Sequence, residues 1–339
     1  MQNSIGFYSL ATKLLEEFPK KRANPNELIR FLNHRGVSFD ELLWSGILND
    51  NNNLNELYFN KKTIDKLAWV PLLNQHLNNI HDYVDYNNNL YVKYMYAGYE
   101  NYREIFIQYV NDKWNNYGCF FSKHYPSLKN IIVHLRLSDR FIDGKKIIHL
   151  DEIQSEWAAF IRKEGITKTL YDAEQSSDKI NNLNIEKSLV SDKNEKLKIN
   201  EKIFEEIAKI KTKIPEGPYV TKVQQWVDIG LCRAFFEAVK FNYDGFALTK
   251  GEEHKRRWVD SNNVIIKNII DLPYFYNTIV YKRIIILLQK IDPSIKITSV
   301  KINEKDEIFY FKITDLFKEK VQKGLPIIIC PNKVRLNDK

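Results

Sequence analysis

The chain has 339 residues, 44% of them hydrophobic and 28% charged, with 19 Tyr and 19 Phe. That composition is ordinary for a globular protein and excludes a fibrous or wholly disordered one. The net charge of +8 permits contact with nucleic acid or an acidic surface, although abundant Lys, Ile and Asn beside only 12 Gly and 10 Pro also reads as AT-rich coding. The three cysteines, Cys119, Cys232 and Cys330, form no CxxC pair, which argues against a disulfide framework and against a thiolate zinc site. No basic, then apolar, leader opens the chain and no run approaches ~18 apolar residues, so an intracellular protein without membrane contact is expected.

Residues 6–18 place Leu10, Leu14, Leu15 and Phe18 at helical spacing, with Ser9 as the cap. Asn24 and Pro25 open a second helix that stops at Gly36, and residues 37–44 give a short third one ending at Gly46. Helix–turn–helix units of this size can bind DNA, but no cluster of Arg, Asn and Gln marks a recognition helix, so packing is the better reading. Residues 49–60 read as an Asn-rich loop. Residues 61–81 read as a helical region that Pro71 kinks or splits. The tyrosines at 83, 86, 91, 94, 96 and 99 can stack on bases but more often cover a core edge.

The organising stretch is IIVHLRLSDRFIDGKKIIHLDEIQSEW, residues 131–157. Asp143-Gly144 is a two-residue hairpin turn. Centring the register there sets Ser138 opposite His149, Leu137 opposite Leu150, and Arg136 opposite Asp151. Val133, Leu135, Leu137, Ile148 and Leu150 then line one face, and His134, Arg136, Ser138, His149 and Asp151 the other. Glu152 breaks the pattern and points to the apolar face, where a carboxylate needs a partner. It is the first candidate for function, followed by Gln154. Ser155 is positioned to cap a helix that buries Trp157.

Residues 167–213 are rich in Lys, Glu, Asn and Ser and read as a mobile insertion ending in a surface helix. A strong helix follows over 222–241, then a buried strand over 243–248. A strand–helix–strand unit of this kind makes its two strands parallel. That carries Glu152, Gln154 and Ser155 to the same sheet edge as Thr249, Lys250, Gly251 and Glu252, where sites in open sheets lie. The cluster GEEHKRRW adds Glu253, His254, Arg256 and Arg257. Two carboxylates with arginines suit acid–base chemistry, a cation, or the grip of a phosphate, and no spacing is diagnostic of a metal or a nucleotide loop. Residues 264–270 are apolar, 281–291 helical, 294–302 and 307–313 strands, 315–322 a short helix and 324–328 a last strand. The fold class is α+β: an N-terminal helical region (1–82), then a mixed α/β core (83–339) with a hairpin and a parallel crossover strand, its last part at 281–339.

These segments together resemble domains of phages and mobile elements that occur alone or inside very long "polyvalent" proteins. The likeness runs through GFYSLATKLLEEF, NYREIF, the hairpin with EIQSEW, IPEGPY, the long helix, GEEHKRRW, FYNTIV and KITDLFKEKVQKGLPII. The family pattern keeps residues matching Glu152, Gln154, Ser155 and Trp157, arginines at Arg136 and Arg233, and Gly251, Glu252 and Arg257. Glutamine is usual where Glu253 stands, and the segment between GEEHKRRW and FYNTIV is shorter than the family's. The resemblance implies a phage or mobile-element origin, hence the cytoplasm of a bacterial host or carriage in the virion. It brings no assigned activity or cofactor. The expected site therefore has Glu152 and Glu252 as acid–base groups, with Arg136, Gln154, Ser155, Trp157, Arg233, Lys250, Gly251 and Arg257 binding substrate. A nucleotide or phosphorylated ligand is the expected substrate class, with ADP-ribosyl transfer one version by analogy. The competing expectation is a non-catalytic module that binds a host protein or nucleic acid.

Overall fold

The computed structural model describes residues 3–49, 53–87, 91–92, 95–110, 120–125, 127–167, 179–180, 182–190, 192–211, 214–262, 272–304 and 306–328. Tyr94, Cys119, Cys330, residues 264–270 and much of 167–191 lie outside that set. The chain divides into two compact units. One comprises residues 1–107, 133–154 and 223–339, the other residues 108–132 and 155–222.

The first unit opens with β1 (Phe7–Tyr8) and helices α1 (Leu10–Glu17), α2 (Pro25–His34) and α3 (Phe39–Trp44). Ser9, Asn24 and Ser38 cap them, each side chain accepting a backbone N–H of the first turn, as capping chemistry dictates. α4 (Glu56–Phe59) is one helical turn inside the segment expected to be a loop. The region expected to be helical over 61–81, kinked or split at Pro71, is three elements: β2 (Arg22–Ala23) pairs with β3 (Ile64–Asp65), α5 covers Val70–Asn78, and β4 begins at Ile80. Pro71 sits in the first turn of α5. It starts that helix instead of bending it, because a first-turn N–H has no intrahelical acceptor to lose. Leu15, Leu28, Leu42, Ile47, Trp69 and Leu73 form the core of this helical region.

The main sheet has seven strands. They are β4 (Ile80–Asp85), β5 (Glu100–Tyr109), β6 (Ile131–Ile142), β7 (Lys145–Gln154), β10 (Gly245–Thr249), β11 (Thr298–Lys301) and β12 (Glu307–Lys312), in the order β11-β12-β10-β7-β6-β5-β4. The hairpin turn has positive φ at both Asp143 (50°) and Gly144 (75°), the requirement of a tight mirror-image turn. β7 and β10 are parallel, with Gly245 opposite Ile147 and Leu248 opposite Leu150, and β12 closes antiparallel on β10. The fold is α+β, with the hairpin and parallel strand where the sequence placed them.

Between β7 and β10 the chain supplies α6 (Glu156–Glu164), β8 (Ile166–Thr167), α7 (Lys193–Lys211), β9 (Ile214–Pro215) and α8 (Val223–Lys240). α8 lies on the face of Val133, Leu135 and Ile153. A Cβ on its Gly230 would stand 2.6 Å from Ile153 and 3.0 Å from Leu135, so only glycine permits that approach. Further along, Phe235 of α8 packs edge-on against Phe246, 5.1 Å between ring centres. Beyond β10 come α9 (Gly251–Asn262), α10 (Leu272–Tyr274), a π-helical turn (Phe275–Val280), α11 (Tyr281–Ile291) and α12 (Asp315–Gln322). The last strand, β13 (Leu325–Pro326), pairs in parallel with β1 and not with the main sheet.

In the second unit, Ser155 Oγ accepts the Ala158 N–H at 3.1 Å and caps α6. Trp157 stacks on Phe120 at 5.5 Å and donates its indole N–H to the Pro215 carbonyl at 2.8 Å. Gly217 lies against the same indole, where a Cβ would come within 2.1 Å. Ser155 and Trp157 thus have structural duties in this unit. Among the described residues no helix is long and apolar enough to cross a membrane.

Candidate functional site

The expected pairing of Arg136 with Asp151 is not what forms. The register is regular from the turn to Leu137–Leu150 and then shifts, so that Arg136 faces Glu152 and His134 faces Gln154. Asp151 is the extra residue of a β-bulge, a device that turns side chains by one position. Glu152 therefore leaves the apolar face and joins the polar one. There it makes an ion pair with Arg136, and the carboxylate that looked out of place in the core has its partner.

Two hydrogen-bonded chains cross this face. In the first, the Gln154 amide donates to His134 Nδ1 at 2.9 Å. This leaves Nε2–H of His134 to donate to Glu104 at 3.0 Å. Tyr102 also donates to Glu104, at 2.5 Å, and the Arg136 guanidinium stands 3.8 Å from it. In the second, Arg140 Nε donates to His149 Nδ1 at 2.8 Å. His149 Nε2–H then donates to Thr249 Oγ1 at 2.9 Å, and that hydroxyl donates to Asp151 at 2.8 Å. Arg257 completes the chain, reaching Asp151 at 2.9 Å and Glu253 at 2.8 Å. Because an arginine can only donate, both the His149 tautomer and the Thr249 hydroxyl direction follow from the geometry.

Both histidines are held neutral. Burial pushes His149 well below its usual pKa, and the charges of Arg140 and Arg257 add to that. Burial also lowers His134, against the pull of Glu104. The Arg136 guanidinium lies 3.7 Å from the ring centre of Tyr91. Tyr96 receives Arg257 at 4.8 Å and Arg140 at 5.3 Å, contacts that favour a desolvated cation. Three guanidinium groups (Arg136, Arg140, Arg257) meet four carboxylates (Glu104, Asp151, Glu152, Glu253). Arg136 and Glu152 keep a visible edge, with side chains 8% and 10% exposed, as do Arg257 and Glu253 at 11% each. The remainder of the relay is closed to solvent: His149 is 0% and Asp151 1% exposed.

α9 and the π-helical turn complete the cluster. His254 is buried and stacks on Tyr276 at 3.7 Å between ring centres. The Tyr276 hydroxyl donates to the Ile153 carbonyl at 3.2 Å and accepts the Ile153 N–H at 3.3 Å. Asn277 binds both Glu252 oxygens, at 2.8 and 2.9 Å, and accepts the Gly251 N–H at 2.9 Å. Among the described residues, His254 Nε2 and Arg257 Nη2 are buried without a hydrogen-bond partner.

The sequence-selected residues therefore separate. Arg136, Glu152, Gln154 and Arg257 lie in the cluster. Glu252 is exposed and committed to Asn277, and Lys250 pairs with Glu307 at 2.7 Å. Arg233 belongs to the other sheet face, where it holds Asp82 at 2.8 Å and Glu237 at 2.9 Å. Sequence reasoning placed Thr249 and His254 at this edge without giving them a role, and missed Glu104, Tyr276 and Asn277. The FYN segment and the His in GEEHKRRW were the available signals, but no periodicity marks them. The tyrosines were read as covering a core edge; Tyr96 does so, packing with Ile147, Ala247 and Ile308, and Tyr91 and Tyr96 also cover the arginines.

Gly251 has a packing duty: a Cβ there would lie 2.4 Å from Pro273 Cα and 2.7 Å from the Leu272 carbonyl oxygen. Both are backbone atoms, which cannot swing aside. Gly251→Ala is expected to lower stability by about 1–3 kcal/mol, seen as a lower urea midpoint with unchanged slope.

No known family model, curated protein or solved structure matches this chain. Among the described residues no group of three or more His, Cys, Asp or Glu side chains is arranged to hold a metal ion.

Proposed function

We propose that the chain is an enzyme of phage or mobile-element origin that acts on a nucleotide or another phosphorylated molecule at the Arg136–Glu152 edge of this cluster. The supporting observation is the pair of buried, unpartnered polar groups, His254 Nε2 and Arg257 Nη2, beside a carboxylate that still reaches solvent. Each unsatisfied buried group costs about 1–3 kcal/mol, a cost that a bound ligand offsets by supplying the missing partner. In this reading the substrate phosphate takes over the Arg136 guanidinium, releasing Glu152 as the acid–base group. Neutral His254 and Arg257 orient the substrate, and the His149–Thr249 relay fixes Asp151, which fixes Arg257. Glu252 acts through Asn277 as a positioning residue.

The test incubates the purified protein with NAD, ATP, GTP and nucleoside diphosphates and follows products by anion-exchange chromatography and phosphorus NMR. Turnover is expected, and Glu152→Gln, with an unchanged circular dichroism spectrum, should reduce it by about 10²–10⁴, the usual weight of a positioned acid–base group. Equal turnover by the variant sinks the assignment of Glu152.

A second reading rests on the ion pairs. Arg136 and Arg257 pair with Glu152 and Asp151 of the same chain, as suits a binding module for a host protein or nucleic acid, or a virion component. Nucleic-acid binding would fall steeply with salt, and recovery from purified particles marks a virion component.

A further inference from the structure

A separate cavity of about 430 Å³ opens beside the β1–β13 pair. Phe7 pairs with Leu325 and Tyr8 with Pro326, so two strands distant in sequence build one wall. Its apolar lining includes Tyr8, Leu10, Ile291, Leu325 and Ile328. Among the described residues its charged lining is five cations, Lys13, Arg35, Lys290, Lys320 and Lys323, and no carboxylate. They come from α1, the end of α2, the last turn of α11 and the end of α12.

The plain alternative is that these cations only offset helix dipoles, since α2, α11 and α12 all end here. The magnitudes decide against it. A helix C-terminus carries about half a negative charge, so three ends neutralise about one and a half of the five cations. Glu319 pairs with Lys323 at 2.5 Å and removes one more. With Lys290 set aside, because it also acts on the Asp228 carboxylate, about one to two positive charges remain over an apolar floor. The volume lies within the usual ~300–1,000 Å³ range of small-molecule sites. A half-open pocket of this size takes a discrete molecule, whereas a nucleic-acid strand needs an extended track.

We propose that this cavity binds a small phosphorylated molecule of nucleoside-diphosphate size, with the phosphates on Lys13, Arg35 and Lys320 and the less polar body against Tyr8, Leu10 and Leu325. The site is independent of the strand-end cluster. The probes for calorimetry at 50 and 200 mM salt are ADP, inorganic pyrophosphate and a 20-nucleotide single-stranded DNA. The proteins are wild type, Lys320→Gln, Lys320→Glu and Lys13→Glu/Lys320→Glu. Both Lys13 and Lys320 are exposed, so these changes leave the core untouched. ADP is expected to bind the wild type more tightly than pyrophosphate does. Its affinity should weaken modestly in Lys320→Gln, at least about tenfold in Lys320→Glu, and further in the double variant. The proposal is overturned if ADP does not bind the wild type or binds Lys320→Glu equally well. Pyrophosphate binding as tightly as ADP would remove the apolar half of the site. DNA displacing ADP, with a steep salt dependence, would mark a nucleic-acid surface instead.

Discussion

Replacing Arg103 by Ala is expected to lower the unfolding free energy by about 3–5 kcal/mol at pH 7, the usual cost of breaking a buried ion pair from one side. Arg103 is 3% exposed and is the hub of the α8 side of the sheet. Its guanidinium reaches Asp139 on β6 at 2.9 Å, Glu237 on α8 at 3.0 Å and the Tyr243 hydroxyl at 3.1 Å. One side chain thus ties β5, β6 and α8 together. Its loss leaves two carboxylates buried at 2% and 1% exposure with Arg233 as the remaining close guanidinium. In the intact protein, burial pushes the Asp139 carboxyl up, but hydrogen bonds from Tyr243, Asn101 and Arg103 outweigh it and hold the group below its ordinary value. Without Arg103 that carboxyl rises and takes up a proton at mildly acid pH. The deficit of Arg103→Ala relative to wild type should therefore shrink as pH falls toward about 4. Urea titrations of both proteins at pH 7, 5.5 and 4.5 measure it. A deficit that does not change with pH would mean that Arg103 matters only as packing volume.

Acidification should destabilise the protein from pH 6.5 downward, well above the range where carboxylates ordinarily titrate. Burial drives His76 down to a pKa of about 3. It also drives His149 and His254 well below 6.5, with nearby arginines adding to the effect. A histidine whose folded pKa is depressed contributes stability that is complete above about pH 6.5 and lost as pH falls toward its folded value. For His76 the loss between pH 6.5 and 5 is about 2 kcal/mol. Glu41 works the other way. Burial raises it from 4.5 to about 7, against hydrogen bonds from Ser9 and the Ala11 N–H. Its contribution is complete below its unfolded value and disappears as pH rises through 7, so going from pH 7 to 5 restores about 2 kcal/mol. That offsets His76 and leaves three lowered histidines, His134, His149 and His254, against Asp228, which burial raises to about 6, giving a net loss. Glu41→Gln removes the offset, and its unfolding free energy should fall between pH 7 and 5 by about 2 kcal/mol more than that of the wild type. Thermal melts across this range decide. A wild type equally stable at pH 5 and 7 would mean that the buried histidines accept protons without cost.

Both effects arise where polar groups were drawn into the interior, and these are the places where the sequence spoke least. Local rules read well wherever the determining residues are neighbours. Ser9, Asn24 and Ser38 announce three helix starts because capping involves side chains within three residues. Asp143-Gly144 announces the hairpin because few residues tolerate the backbone that it demands. The alternation of Val133, Leu135 and Leu137 against His134, Arg136 and Ser138 declares a polar face. Pro71 left a kink and a split both open because a proline permits a bend or a helix start, and the pairing of Ile64 with Ala23 that chooses between them is not local.

The stretch from Leu150 to Gln154 shows the division most clearly. By itself the sequence determined that two strands meet there, that one face is polar, and that Glu152 is out of phase with its neighbours. Period-2 alternation is a property of consecutive residues, so a break in phase is visible without any structure. Only the tertiary structure decided what the break means. The bulge at Asp151 absorbs one residue, hands Glu152 to Arg136, and frees Asp151 for Thr249 and Arg257, which lie about a hundred positions further along. An ion pair is chosen by distance in space, and residues brought together by strand pairing carry no trace of each other in the sequence between them.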